Sequence, residues 1–405
     1  MMKYILILVA FLSLLSCDDF LDRQPLDQIT VENFYQSEDD LQRGILAAYY
    51  PLQNQDWTGK GWMLTEIPSD NSQPGGSDPE HTPIDNFTVN ADNGPVANYW
   101  RMHYQTIALA NVILEKTPES QIAGTDIADE IKGEAQFLRA LAYFDLVRIY
   151  GGVPLMTVAP TYDGDLLLPR SSVEEVNALI VADLEAAAAT LPVTRSGGDL
   201  GRATKGSALG LLAKVQLTRK DFAAARDAAK ACIDLGVYSL MPDFADNFEL
   251  ATSDNNAEAV FQVQFTGCGP FGTGNPMQAF FAPWGEGITK DRDGWGSQVP
   301  TAPNLNGPGT TIVNAYSASD LRKVPTLMTA NNYYPTINAG DGGYTYPSSG
   351  ASAVNANIKK YVVGAGSNIC FMSTPMNFHV IRYADVLLSL AEAYMELGGG
   401  ATINE

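Results

Sequence analysis

Through its first half the chain repeats apolar residues at the three-to-four spacing of a helix with one buried face. Ser37 is placed as an N-cap ahead of Glu38, Asp39 and Asp40. Leu41, Ile45, Ala48, Tyr49 and Leu52 then share one side of a helix. Residues 96–117 repeat the pattern through Tyr104, Ile107, Asn111 and Leu114. Residues 126–150 extend it into a longer helix that must stop at Gly151-Gly152, ahead of Pro154. Ser172 and Glu175 are spaced as a capping box opening a helix over 173–190, which Pro192 closes. Helices over 204–219 and 221–235 follow, with Gly236 as the residue just past the end. Residues 259–265 change to the alternation of a strand.

Part of this pattern recurs. The stretch ALGLLAKVQLTRKDFAAARDAAKACIDLG, from Ala208, holds two helices joined by a short turn at Lys220-Asp221. Gly210, Ala213, Ala224 and Ala228 fall where such helices must approach closely, as in a tetratricopeptide-type pair. Segments from Gln136 and from Val386 read like its first helix, with Ala140–Ala142, Ala213–Val215 and Ala391–Ala393 in register. No heptad persists long enough for a coiled coil. Residues 266–378 differ, being rich in Gly, Pro, Asn, Ser and Thr. Their many Phe, Trp and Tyr residues predict packed loops and short strands rather than disorder.

The N-terminus changes the picture. Lys3 precedes an apolar run, Tyr4–Leu15, of 12 residues. That is too short for a bilayer span of about 20 and suits a signal peptide. The run ends Leu14-Leu15-Ser16-Cys17, which resembles a bacterial lipobox. Residues 1–16 are thus expected to be removed, leaving Cys17 acylated at the head of a tether over 17–36. Acyl chains anchor through about 0.8 kcal/mol per buried methylene. Of the cysteines beyond Cys17, Cys232 sits in a helical pattern as a small buried residue, and Cys232, Cys268 and Cys370 together allow at most one disulfide. Net charge is −21, from 46 acidic and 25 basic residues, which excludes phosphate-backbone binding as a main role.

Little familiar catalytic chemistry is present. Three His residues, His81, His103 and His379, are too scattered for a zinc site. There is no HExxH, GxSxG or P-loop. Gly267–Gly272 matches GxGxxG in letters only, since Pro270 prevents a helix from opening onto a pyrophosphate. Asp291-Arg292-Asp293-Gly294 reads as a solvated turn, so no cofactor or metal is expected. Aromatic residues in polar, Gly-containing loops suit sugars, whose C–H faces pack on rings while their hydroxyls need amides or carboxylates. The candidates are Trp57 and Trp62 in QNQDWTGKGWML, read as a loop, with Asp70, Asn71 and Gln73 close behind, and Trp284 and Trp295 farther on. Trp100, beside Tyr104, reads as packing; Arg139, Arg170 and Arg382 read as ion-pair or capping groups, with Arg382 and Asp385 paired along one helix.

Five blocks in order, Cys17–Leu52, Gly133–Leu155, Leu168–Pro192, Gly201–Leu217 and Ile381–Gly398, resemble the SusD/RagB family of outer-membrane lipoproteins. The resemblance implies a mostly α fold of tetratricopeptide-like pairs forming a right-handed scaffold over 37–265, with a loop-rich, short-strand ligand face over 266–405. It implies a surface lipoprotein of Bacteroidetes-type bacteria that captures oligo- or polysaccharide for a SusC-like TonB-dependent transporter. Asp18 and Asp19 match the acidic residues such bacteria use for surface export. Peptide capture of the RagB type, a surface glycan hydrolase and a structural adaptor are the competing expectations. Family members continue past the helix where this chain ends, so a truncated reading frame or a partial gene is expected, with one apolar helix face left uncovered. Growing cells fed a palmitate analogue should label the protein, and Cys17→Ala should abolish the label and release the protein from the membrane fraction.

Overall fold

The computed structural model describes residues 34–69, 71–72, 79–161, 167–268, 274–283, 288, 298–299, 312–348, 356–366, 368–370 and 373–398. Helix α1 is Glu38–Tyr49. A 3-10 turn, Tyr50–Gln53, and a π turn, Gln55–Gly59, lead directly into the short α2, Lys60–Thr65. Then come α3 (Gly94–Lys116), α4 (Asp126–Tyr150), α5 (Val173–Thr190), α6 (Lys205–Thr218) and α7 (Phe222–Ile233). Strand β1 (Ala259–Val263) begins an excursion through helix α8 (Met277–Phe281) and short strands. These are β2 (Gln298–Val299), β3 (Leu327–Met328), β4 (Tyr333–Tyr334), β5 (Tyr344–Thr345) and β6 (Ala356–Ile358). Strand β7 (Phe378–Arg382) returns the chain to α9, Tyr383–Glu396.

The caps fall where the sequence puts them. Ser37 and Asp40 form a capping box on α1, and Ser172 and Glu175 form one on α5. Helix α4 ends at Gly151 with φ +71°, and Lys220 turns α6 into α7 at φ +63°. Arg170 Nη1 donates to the carbonyls of Tyr150 (3.2 Å) and Gly152 (2.7 Å), the capping role expected for it. Helices adjacent in sequence pack against each other: α4 lies between α3 and α5, α6 meets α5 and α7, and α9 lies on α7 and α6. Strands β1 and β7 pair antiparallel across the α6–α9 junction, with Phe261 opposite Ile381. Gly210 lets them approach, since a Cβ there would meet Ile381, Val260 and Val386 side chains at 3.3 Å.

Two large hydrophobic clusters result, and they do not divide the chain in sequence order. The first holds α1, α3–α7 and β1, including Phe137, Leu138, Leu184, Leu211 and Phe261. The second holds Met63, Ile67, Ile84 and Phe248 together with Phe280, Tyr334, Tyr346 and Val362. Trp57 belongs to the first and Trp62 packs against the second, so the turn between them joins the cores. The disulfide Cys268–Cys370 ties the start of the excursion to its end, and Cys232 is buried and free. Helix α9 leaves Leu388 and Met395 exposed, at 68% and 65%.

Two expectations are corrected. The segment carrying Trp57 and Trp62 is the π turn followed by α2, not a loop. Its glycines serve close packing: a Cβ on Gly59 would meet Phe280 at 2.7 Å and Pro276 at 2.8 Å. Arg382 is the last residue of β7 and pairs with Glu258, while Asp385 pairs with Lys214 at 2.8 Å; the two do not pair with each other.

Buried polar contacts hold the helices in register. Arg139 grips Asp183 through two bonds of 2.8 Å and Asn111 through a third of 2.8 Å, joining α3, α4 and α5. Glu134, wholly buried in α4, accepts from Tyr49 (2.7 Å), Arg195 (3.1 Å) and Arg202 (2.8 Å). Removing one partner of such a buried group leaves uncompensated charge, at a cost of about 3–5 kcal/mol. Glu134→Ala should therefore lower the urea midpoint by that equivalent, and Arg202→Ala should do nearly as much damage.

Candidate ligand-binding site

A cavity of ≈ 570 Å³ opens where the two cores meet. That lies within the range of small-molecule sites, roughly 300–1,000 Å³. Trp57, Trp62 and Asn71 line it together with the rings of Phe248, Phe281, Tyr361 and Phe378. Two smaller cavities, ≈ 240 and ≈ 310 Å³, lie beside Arg195 and Gln264, whose polar groups are engaged in internal hydrogen bonds.

Helix α2 sets the first wall. The Trp62 ring meets Phe281 edge-on at 5.3 Å and Phe280 at 6.3 Å. Its indole Nε1 is buried and has no acceptor among the described residues. Trp57 is 7% exposed and stacks on His103 at 3.6 Å, so it offers a ligand little more than an edge. Beneath it, His103 Nδ1 lies 2.7 Å from the Tyr99 carbonyl and Nε2 lies 3.3 Å from Asp145. Burial pushes the Asp145 carboxyl up, but the His103 hydrogen bond and Arg148 outweigh that and hold it down at about 2. Asp145 is thus a fixed anion of the floor.

Another part of the lining is cationic and aromatic. Lys360 Nζ sits 4.6 Å from the Phe248 ring centre and 5.6 Å from that of Phe244. The Arg382 guanidinium lies 5.6 Å from Phe248 and 5.7 Å from Phe244. Tyr361 reaches this wall with φ +65°, a conformation that costs a non-glycine residue roughly 1–2 kcal/mol and that recurs at ligand clamps. Its hydroxyl accepts from the His379 backbone N–H at 3.2 Å. His379 Nε2 donates to the Asn247 carbonyl at 3.0 Å, and Gln262 Nε2 reaches Nδ1 at 3.2 Å, the pattern of a neutral ring. Burial, with Arg382 and Lys360 adding to it, pushes this imidazole down to about 4.

Known proteins share this arrangement of elements. A family model described as starch-binding associating with outer membrane matches residues 19–217, and the SusD family model matches residues 258–405. The chain belongs to the SusD family. A SusD-like protein of Bacteroides ovatus is 29% identical over 428 residues, covering 100% of this chain and 74% of that protein. A solved structure with xylogluco-oligosaccharide is 25% identical, with a TM-score of 0.74 over 87% of this chain and 71% of that one. A laminarin binding SusD-like protein is 24% identical, with a TM-score of 0.73 over 91% of this chain and 82% of that one, a likeness of fold. The mostly helical fold of this SusD-family protein is the one its sequence blocks imply.

Within this SusD-family chain, the cavity gathers Trp57, Trp62 and Asn71, whereas Asp70, Gln73, Trp284, Trp295 and the lipidation candidate Cys17 lie outside the described residues. So do residues 291–294, read as a solvated turn. Trp100 packs between Tyr104 (4.9 Å) and Tyr150 (5.0 Å). Sequence reading passed over Phe248, Lys360 and His379; the available signals were a Phe244/Phe248 pair four apart and a Lys-Lys step in a chain poor in cations. Among the described residues no His, Cys, Asp and Glu cluster could hold a metal, and no helix is long and apolar enough to cross a membrane.

His379 makes stability depend on pH. Its folded value of about 4 lies below the usual ~6.5 of an unfolded chain, so between the two the unfolded state binds more protons. Stability should be full above pH 6.5 and fall by about 1–3 kcal/mol as pH drops toward 4. Urea titrations at stepped pH should show that slope, and His379→Gln should flatten it.

Proposed function

We propose that this SusD-family protein is a cell-surface glycan-binding lipoprotein. It captures oligo- or polysaccharide at the Trp62 cavity and delivers it to a SusC-like TonB-dependent outer-membrane transporter. The observation that carries the reading is the cavity itself: Trp62, Phe281, Phe248, Tyr361 and Phe378 line one space of ≈ 570 Å³, with Asn71 among its polar lining. Aromatic rings take up the C–H faces of sugar units, and amide and charged groups beside them meet the hydroxyls. The likeness to a structure solved with xylogluco-oligosaccharide supports the same ligand class.

The site reads as binding rather than bond-breaking. Of the carboxylates that line it, Asp145 is held by Arg148 and His103, Asp385 is paired with Lys214, and Glu66 stands exposed. Asp145, held down at about 2, is the reverse of a general acid, which requires a raised pKa. Outer-membrane association agrees with the matching family model. Acylated Cys17 supplies the anchor in this reading, and the helical face supplies the transporter contact, as repeat scaffolds commonly present protein-binding surfaces.

Isothermal titration of the chain lacking its first 17 residues against a panel of plant, algal and host glycans tests the reading. At least one glycan should bind, and Trp62→Ala should weaken it about tenfold or more, in line with the 1–3 kcal/mol typical of aromatic stacking on a ligand ring. Product analysis after long incubation should show no new reducing ends. Tight binding of peptides alone, or accumulation of shortened sugars, would replace the proposal with one of its competitors.

A further inference from the structure

The cations of the cavity are not equivalent. Arg382 meets Glu258 through Nη1 alone, which leaves its Nε and Nη2 hydrogens without an acceptor among the described residues. Lys360 has no carboxylate within ion-pair distance among the described residues; ring faces of Phe248 and Phe244 are its contacts. The remaining charges around the cavity are accounted for. Asp145 is paired with Arg148, Asp385 with Lys214 and Glu258 with Arg382. Glu66, just past the end of α2, is exposed, makes no ion pair among the described residues and acts on Lys360 only through its field. His379 stays neutral above its value of about 4.

An ammonium withdrawn from water without an anion is unfavourable. Burial and the neighbouring Arg382 press Lys360 down to about 8, and the carboxylate of Glu66 offsets them only in part. A ligand anion would reverse that penalty, and the free hydrogens of Arg382 lie on the same wall to share it. The protein as a whole carries a net charge of −21, so an acidic ligand gains nothing from long-range attraction. At physiological salt that repulsion is screened within about 8 Å, whereas contacts inside the cavity are screened much less.

We propose that Lys360 and Arg382 form an oxyanion subsite in the cavity, and that the ligand is an acidic glycan carrying a carboxylate or a sulfate ester. This rests on the glycan-binding reading and narrows it. Trp62 and Phe281, in edge contact with each other, offer a sugar ring an aromatic surface, and Lys360 and Arg382 read its charge.

The test compares matched pairs on the full chain in detergent. Oligogalacturonate is titrated against its carboxyl-reduced counterpart, and a sulfated disaccharide against its desulfated form. At least one acidic member should bind about tenfold or more tightly than its neutral partner, with the preference shrinking as salt is raised. The pair that shows the preference identifies carboxylate or sulfate as the group read. Lys360→Gln should bring the ratio toward one, Lys360→Arg should retain it, and Trp62→Ala should weaken both members without changing the ratio. Equal binding of charged and neutral partners, or a ratio indifferent to Lys360→Gln in a folded variant, overturns the subsite and leaves glycan binding standing. If no member of either pair binds and the wider glycan panel is also silent, the glycan reading itself fails and takes the subsite with it.

Discussion

A single carboxylate in the middle of α4 fixes the frame on which the cavity is built. Glu134 is out of reach of solvent and is satisfied from three directions, by Tyr49 at the end of α1 and by Arg195 and Arg202 from the segment before α6. The Tyr49 hydroxyl also accepts from the Ala203 backbone at 2.8 Å, which closes the knot. Each member needs the others, because any one left alone would be an unsatisfied polar group in an apolar interior. The consequence reaches the site through the chain itself. Tyr49 is followed without a break by the 3-10 turn, the π turn and α2, so the position of Trp62 is measured from Glu134. Gln53, in that connection, also donates to the Gln264 carbonyl just beyond β1 at 2.8 Å.

The cavity is therefore a product of two cores meeting rather than of either one. The helical core contributes the Trp57, His103 and Asp145 floor, and the second core contributes Phe281, Phe248 and Tyr361. Close-packed interiors transmit small displacements poorly absorbed by neighbours. A ligand wedged between Trp62 and the Lys360 wall would thus sense the relation between the cores, which is a reason for stiff linkers such as the β1–β7 pair across the seam.

The helices were legible because their signals are local: a capping box at Ser172, a glycine at Gly151, a turn at Lys220. The ordered blocks of the sequence carried the family and hence the fold. The stretch around Trp62 was misread for a physical reason. Gly59 and Gly61 look like loop residues, but each removes a side chain that would collide, with Phe280 and Pro276 in one case and with Tyr99 in the other. No pattern within the segment announces a partner more than 200 residues away. Arg382 teaches the same lesson for charge, since helix spacing favoured Asp385 while the fold supplied Glu258 from the turn just before β1. Lys360 and His379 acquire their character from rings and charges brought in by distant segments, so their role is invisible along the chain.

The closure at Cys268–Cys370 has a separate meaning. The bond spans 102 positions and sits at the foot of the excursion, just after β1 and shortly before β7. Closing a loop of that size restricts the unfolded chain, by about 4–5 kcal/mol in the entropic account. The β ladder and the disulfide together make a neck, and what lies beyond the neck is a cassette. Its length can change with little penalty to the helical frame, because loop closure depends only weakly on length once the neck is formed. Phe280 and Pro276 against Gly59, and Phe281 against Trp62, are where the insert keys back into the frame, so refitting one scaffold to another ligand means rebuilding the insert around those contacts.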